Sequence, residues 1–214
     1  MFLFSKALII APHTDDGELG CGATIAKLIE SNVDVYYLAF SAAEESVPQG
    51  LPKDTLRKEV KKATEILGIK DENVLIYHYQ VRKLSYYRQD ILEDLIRVRN
   101  TINPDVVFIP TLDDLHQDHS TVAQEGLRAF KKVTLLGYEL PWNNISFETN
   151  LFIKLEERHL NKKIKALKCY ESQKHRDYLN EDYLRSLAKV RGVQIGVDFA
   201  ETFEVIRWVI NDKD

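Results

Sequence analysis

Short apolar runs rich in β-branched residues alternate along the chain with longer stretches in which apolar positions recur every three to four residues. That alternation marks a parallel sheet covered by helices. ALIIAP (7–12) reads as the first strand, and from Glu18 the spacing of Leu19, Ile25, Leu28 and Ile29 predicts a helix. VDVYYLAF (33–40) reads as the second strand. After a turn carrying Pro48, Gly50 and Pro52, a helix is expected from Asp54 to Leu67, capped by Asp54 and closed by Gly68. NVLIYHY (73–79), a helix over 86–100, DVVFIP (105–110), a helix over 119–131 and VTLLGYEL (133–140) follow. Beyond Leu151 the pattern predicts a strand, a basic helix over 156–170, a helix over 179–188 and a last strand over 203–209. The expected fold is α/β: a Rossmann-like three-layer αβα sandwich with a mostly parallel sheet. Its order should be 3-2-1-4-5 plus C-terminal additions, within a single domain over 1–214.

Composition narrows the class. A chain of 214 residues with 44% hydrophobic content can bury one substantial core, and no repeat or low-complexity linker suggests cutting it. The net charge of -4 is spread without blocks of one sign, which gives no support to nucleic-acid binding. Cys21 and Cys169 form neither a disulfide framework nor a cysteine zinc site, so a reducing cytoplasm is expected. The opening MFLFSKALIIA lacks the basic leader of a secretory signal and reads as a buried strand. No apolar run approaches the roughly 20 residues of a membrane-spanning helix.

The chemistry sits at two strand ends. The first strand runs into His13-Thr14-Asp15-Asp16-Gly17-Glu18, and the fourth leads through Pro110 to Asp113, Asp114, His116, Asp118 and His119. Ligands of open parallel sheets gather at the carboxyl ends of strands, and the expected order makes strands one and four neighbours. Convergent histidines and aspartates would waste desolvation energy unless a cation sat among them. Two imidazoles and a carboxylate, with one open position, form a catalytic metal set. That donor set favours zinc and admits iron, manganese, cobalt or nickel.

APHTDDGELGCG followed about a hundred residues later by HQDH resembles the LmbE-like, or PIG-L, family of metal-dependent N-deacetylases. RKEVKKATEILGI (57–69), INPDVVFIP (102–110) and FAETFEV (199–205) extend the resemblance. LGYELPWNN (136–144) and KCYESQ (168–173) resemble a bacterial subgroup associated with surface-sugar assembly. The resemblance implies that His13, Asp16 and His119 bind metal and that Asp15 is the general base. It further implies that a protonated His116 stabilises the oxyanion, with Asp118 accepting its other N–H. Spacing alone leaves His116 and His119 interchangeable as the second imidazole ligand, and the resemblance favours His119. The expected substrate is an N-acylated amino sugar, an N-acetylglucosamine derivative. Thr14, Gly17 and Glu18 depart from the commonest family form and leave the role of Glu18 open.

Arg57, on the helix after strand two, resembles a family arginine near the pocket, and Trp142 could roof the site as an aromatic platform. His78 is expected in the core or at the surface. His159, His175 and the lysine pairs 61–62, 131–132 and 162–163 are expected to face solvent. Two rivals remain. A nucleotide-binding Rossmann protein is disfavoured because Gly17, Gly20 and Gly22 give GxxGxG rather than GxGxxG. A non-catalytic carbohydrate-binding protein on the same fold would normally show a broken ligand set, and here the set is complete.

Overall fold

The structure is a computed structural model describing residues 4–210, so residues 1–3 of the opening segment lie outside the described residues. In chain order the elements are β1 (Lys6–His13), α1 (Asp16–Glu30), β2 (Asp34–Ser41), α2 (Thr55–Leu67) and β3 (Val74–Ile76). Next come α3 (Arg88–Ile102), β4 (Val106–Pro110), α4 (Gln117–Ala129) and β5 (Thr134–Tyr138). The chain continues through β6 (Leu151–Leu155), α5 (Glu157–Leu167), α6 (Glu181–Gln194) and β7 (Phe199–Arg207).

All seven strands share one sheet in the order β3-β2-β1-β4-β5-β7-β6. The five expected strands pair in parallel in the expected order. β7 then runs antiparallel between β5 and β6. Because the central strands are covered on both faces, both sets of alternating side chains are apolar. Ala7, Ile9 and Ala11 face a core shared with α1, α2, α5 and α6. Leu8 and Ile10 face a second core, formed with Ile91, Leu95 and Val98 of α3 and Val122 of α4. Each such Leu or Ile, fully buried, contributes about 1.5–3 kcal/mol. Among the described residues, no helix is long and apolar enough to cross a membrane.

Several local expectations need correction. β3 is shorter than the predicted 73–79, because the Arg57 guanidinium takes the carbonyls of Ile76 and Tyr77 at 3.1 Å each. Asp54 occupies the cap position of α2 without capping it; its carboxylate pairs with Lys58 at 2.7 Å instead. Gly68 closes α2 as expected, at φ +101°. His159 is buried, not solvent-facing: its Nδ1 accepts the Glu156 N–H in a capping box and its Nε2 meets Glu30 at 2.8 Å. Lys163 is buried as well.

The reason for burying Lys163 lies in α1, which is broken at Cys21, where φ is -145° and ψ is 24°. A break frees carbonyls before it and N–H groups after it. Lys163 Nζ donates to the Leu19 carbonyl at 2.6 Å. Glu201 of β7 accepts from Ala23 N at 3.2 Å and Thr24 N at 2.7 Å. The two side chains close the repair with a 2.6 Å ion pair.

Candidate active site

β1 and β4 are neighbours, so the loops leaving their carboxyl ends meet. Asp15 and Asp16 fall at the N-terminus of α1, where a helix dipole favours negative charge. Asp16 Oδ2 accepts the His13 backbone N–H at 2.8 Å, which folds the turn so that both side chains point the same way. From the other loop comes His119, in the first turn of α4.

Three atoms converge. His13 Nδ1 lies 3.1 Å from Asp16 Oδ2, His119 Nε2 lies 3.2 Å from the same oxygen, and the two ring nitrogens are 3.2 Å apart. Tetrahedral zinc with ligands near 2.0–2.1 Å requires ligand atoms about 3.3 Å apart, so this triangle has the dimensions of one face of such a site. The imidazole nitrogens that point away are each held by a carboxylate. His13 Nε2 meets Asp118 at 2.9 Å and His119 Nδ1 meets Asp114 at 2.8 Å, the arrangement that orients metal-binding imidazoles. His116 closes the group, and the ligand atoms of His13, His116 and His119 lie within 4.8 Å of one another, a cluster that could hold a metal.

Electrostatics at this point favour positive charge. Burial works against charge on His13, yet Asp16 and Asp118 raise its pKa to about 9. Burial likewise opposes charge on His119, and Asp16 with Asp114 raises it to about 10. Although burial would push Asp16 up, His119 and His13 hold it well below the usual carboxylate range. Asp15 behaves oppositely: burial and the adjacent Asp16 raise it to about 6. Asp15 occupies the cap position of α1 without a side-chain capping bond, and it lines the cleft.

The expected pairing of Asp118 with His116 is corrected. Asp118 gives its carboxylate to His13 and to the backbone N–H groups of Arg82 (2.5 Å) and Leu84 (3.1 Å). His116 is itself the cap of α4, its Nδ1 accepting the Asp118 N–H at 3.2 Å. Burial and the neighbouring His119 and His13 lower the His116 pKa to about 4. That shift favours a neutral ring, and with Nδ1 accepting from Asp118 N the remaining proton would sit on Nε2.

Glu18 does not line the cleft. It is buried behind the turn, with its pKa raised to about 8 by burial, between the hydroxyls of Tyr37 and Tyr170. Those hydroxyls also reach the Thr14 carbonyl, at 2.8 and 2.7 Å, and so pin the loop that carries His13 and Asp16. A Cβ on Gly17 would stand 2.6 Å from the Tyr37 ring, so this glycine serves close packing.

The cleft encloses about 330 Å³. Trp142 lines it as expected, stacked on Tyr178 with ring centroids 4.3 Å apart. Arg57 does not line it; besides the β3 carbonyls it contacts His78 at 3.0 Å and Glu44 at 3.5 Å. Sequence reasoning gave no role to Asp114, although that acid stands five residues before His119. It also missed Arg82, Arg176 and Tyr178, which reach the cleft from irregular segments without a readable period.

Comparison with known proteins places this geometry in a family. The family model described as GlcNAc-PI de-N-acetylase, PIG-L, matches residues 8–130, a span holding both loops of the cleft. The uncharacterized deacetylase YaiS of Escherichia coli is 28% identical, over 77% of this chain and 90% of its own. The diacetylchitobiose deacetylase of Thermococcus kodakarensis is 29% identical, over 92% of this chain and 81% of its own. In structure, the N,N'-diacetylchitobiose deacetylase of Pyrococcus horikoshii superposes with a TM-score of 0.81 at 24% identity, covering 95% of this chain and 84% of that one. With most of β1, all of β2 to β4, helices α1 to α4 and the paired loops inside the matched span, the chain belongs to the PIG-L family.

Proposed function

We propose that this protein is a metal-dependent hydrolase that removes an N-acetyl, or related N-acyl, group from an amino sugar, an N-acetylglucosamine derivative. The observation carrying this reading is the triangle of His13 Nδ1, Asp16 Oδ2 and His119 Nε2, with the uncommitted Asp15 carboxylate beside it. The deacetylase relatives support an enzyme acting on amide bonds.

In this reading His13, Asp16 and His119 hold zinc or another divalent first-row ion, with Asp114 and Asp118 fixing the imidazoles. His116 is less suited to ligation, because its Nδ1 already accepts from Asp118 N. An ion held there would supply Lewis-acid polarisation of the acyl carbonyl and a lowered pKa for water beside it. Asp15 takes the proton of the attacking water and returns it to the leaving nitrogen, and a pKa near 6 suits both transfers. His116 donates its Nε2–H to the acyl oxygen as negative charge develops there, and a neutral donor suffices for that. Trp142, partly exposed at the mouth, offers an apolar face to the sugar ring.

Zinc-loaded protein should release free amine from N-acetylglucosamine derivatives. Asp15→Asn should keep its metal, measured by elemental analysis, and lose about 10²–10⁴-fold in turnover. Intact metal content without hydrolysis of any acylated amine would leave the non-catalytic carbohydrate-binding reading in its place.

A further inference from the structure

Between Tyr170 and Asn180 the chain forms neither strand nor α-helix, only two short 3-10 turns over 171–173 and 177–179. Both ends of this strap are fixed. The Tyr170 hydroxyl lies 2.7 Å from the Thr14 carbonyl and 2.8 Å from Glu18, and Asn180 caps α6 by accepting the Asp182 N–H at 2.8 Å. In between, the strap supplies Gln173, Arg176 and Tyr178 to the cleft, where Tyr178 stacks on Trp142. Its backbone hydrogen bonds stay local, as in Gln173 N–H to Tyr170 and Leu179 N–H to Arg176.

Among the described residues, the hydrogen bonds from 171–179 to the rest of the chain all go to one side chain, Glu59 of α2. The Ser172 N–H donates to Glu59 Oε1 at 3.0 Å, and the Ser172 hydroxyl donates to Oε2 at 2.6 Å. Both residues are buried, Glu59 with 8% exposure and Ser172 with 6%. No Lys, Arg or His nitrogen among the described residues lies within 4.0 Å of that carboxylate. A buried carboxylate without a cation carries a desolvation cost that its donors alone offset. Apolar packing at this place would be non-directional. A carboxylate that takes two donors of one residue fixes both the position and the turn of the backbone at 172, and the next residue, Gln173, then reaches the cleft.

We infer that Glu59 is a positioning residue for sugar binding: by fixing Ser172 it sets where the strap carries Arg176 and Tyr178 along the wall of the cleft. Glu59 itself does not line the cleft. The substrate in this role is that of the deacetylase reading, on which it rests, whereas the clasp stands on geometry alone.

Kinetics of zinc-loaded full-length protein test the role. Glu59→Ala should raise KM for the methyl glycoside of N-acetylglucosamine about tenfold, the scale of one lost hydrogen bond to a charged group, with kcat and zinc content unchanged. Glu59→Gln should restore the wild-type KM, because its amide oxygen accepts the Ser172 N–H while its amide nitrogen donates to Ser172 Oγ. Ser172→Ala, a smaller change that keeps the backbone N–H, should raise KM in the same direction. An unchanged KM in both Glu59→Ala and Ser172→Ala, or a loss carried by kcat alone, overturns the role.

Trp142 reports on the strap without catalysis. The chain has two tryptophans, and Trp208 does not line the cleft. In a Trp208→Phe background, acrylamide should quench Trp142 more strongly once Glu59→Ala is added, because Tyr178 no longer covers the indole face, and Glu59→Gln should leave quenching as it was. If wild type hydrolyses no N-acetylated sugar, yet quenching rises and calorimetry shows N-acetylglucosamine binding more weakly to Glu59→Ala, the deacetylase reading falls and the positioning role stands. Equal quenching and equal sugar affinity with and without Glu59→Ala would mean that packing alone holds the strap, and the role falls whatever the activity.

Discussion

At the scale of single residues, the site is braced by carboxylates that do not line the cleft. Asp114 and Asp118 each fix one imidazole through the nitrogen that faces away from the convergence point. Asp114→Asn should therefore weaken zinc binding about 10–100-fold, measured by chelator competition. An unchanged affinity would show that His119 is oriented by packing alone. The residues of this triangle were readable because β1 and β4 each end in an acidic, histidine-bearing loop, and topology made them neighbours. The partner of Asp118 was not readable. Two residues apart on a helix do not face each other, and His116 is extended outside α4 rather than on its surface. Asp118 is free to turn across to His13, 105 residues away in sequence.

Among the elements, the broken first helix explains a segment that sequence could only match by likeness. FAETFEV supplies Glu201, whose carboxylate takes the N–H groups released at the break, while Lys163 takes a carbonyl. Removing one partner of such a buried pair strands the other charge, so Glu201→Ala should cost about 3–5 kcal/mol in urea unfolding. The double change with Lys163→Met should recover part of that loss. A cost below about 1 kcal/mol for the single change would show that water reaches the break. Lys163 and His159 were misassigned to solvent because their neighbours are basic, yet they stand four apart on the stripe that also buries Leu160, Ile164 and Leu167. Helical periodicity carried the signal, and local charge obscured it. Helix starts near 18, 54 and 86 were displaced by one or two residues, and the residues at those cap positions, Asp15, Asp54 and Tyr87, make no side-chain capping bond that would mark the boundary.

For the molecule as a whole, a metal ion bound as proposed would compete with protons for one electronegative point. In the metal-free protein His13 and His119 carry pKa values near 9 and 10, above the ordinary imidazole value of 6.5. The stability they contribute is fully present below pH 6.5 and is lost as pH rises through 9 to 10. The metal-free Tm should fall over that window, and the zinc-loaded Tm should fall less, because bound metal replaces the protons that are lost. Parallel decline of the two forms by calorimetry would mean that these imidazoles do not control alkaline stability. The order of the five parallel strands followed from crossover handedness. The insertion of β7 between β5 and β6 did not, because an antiparallel return carries no handedness rule and its pattern looks the same at either edge.

One further consequence belongs to the pairing of Ala7–Ile9 with Val106–Phe108. The two imidazoles that meet at its far end are separated by 106 residues of chain, so an unfolded polypeptide holds them together only by chance. An ion seated between them, as proposed, would act as a removable cross-link across the middle of the sheet. Occupancy and pairing of the central strands would then be linked, and a chelating buffer would become, for this chain, a mild denaturant.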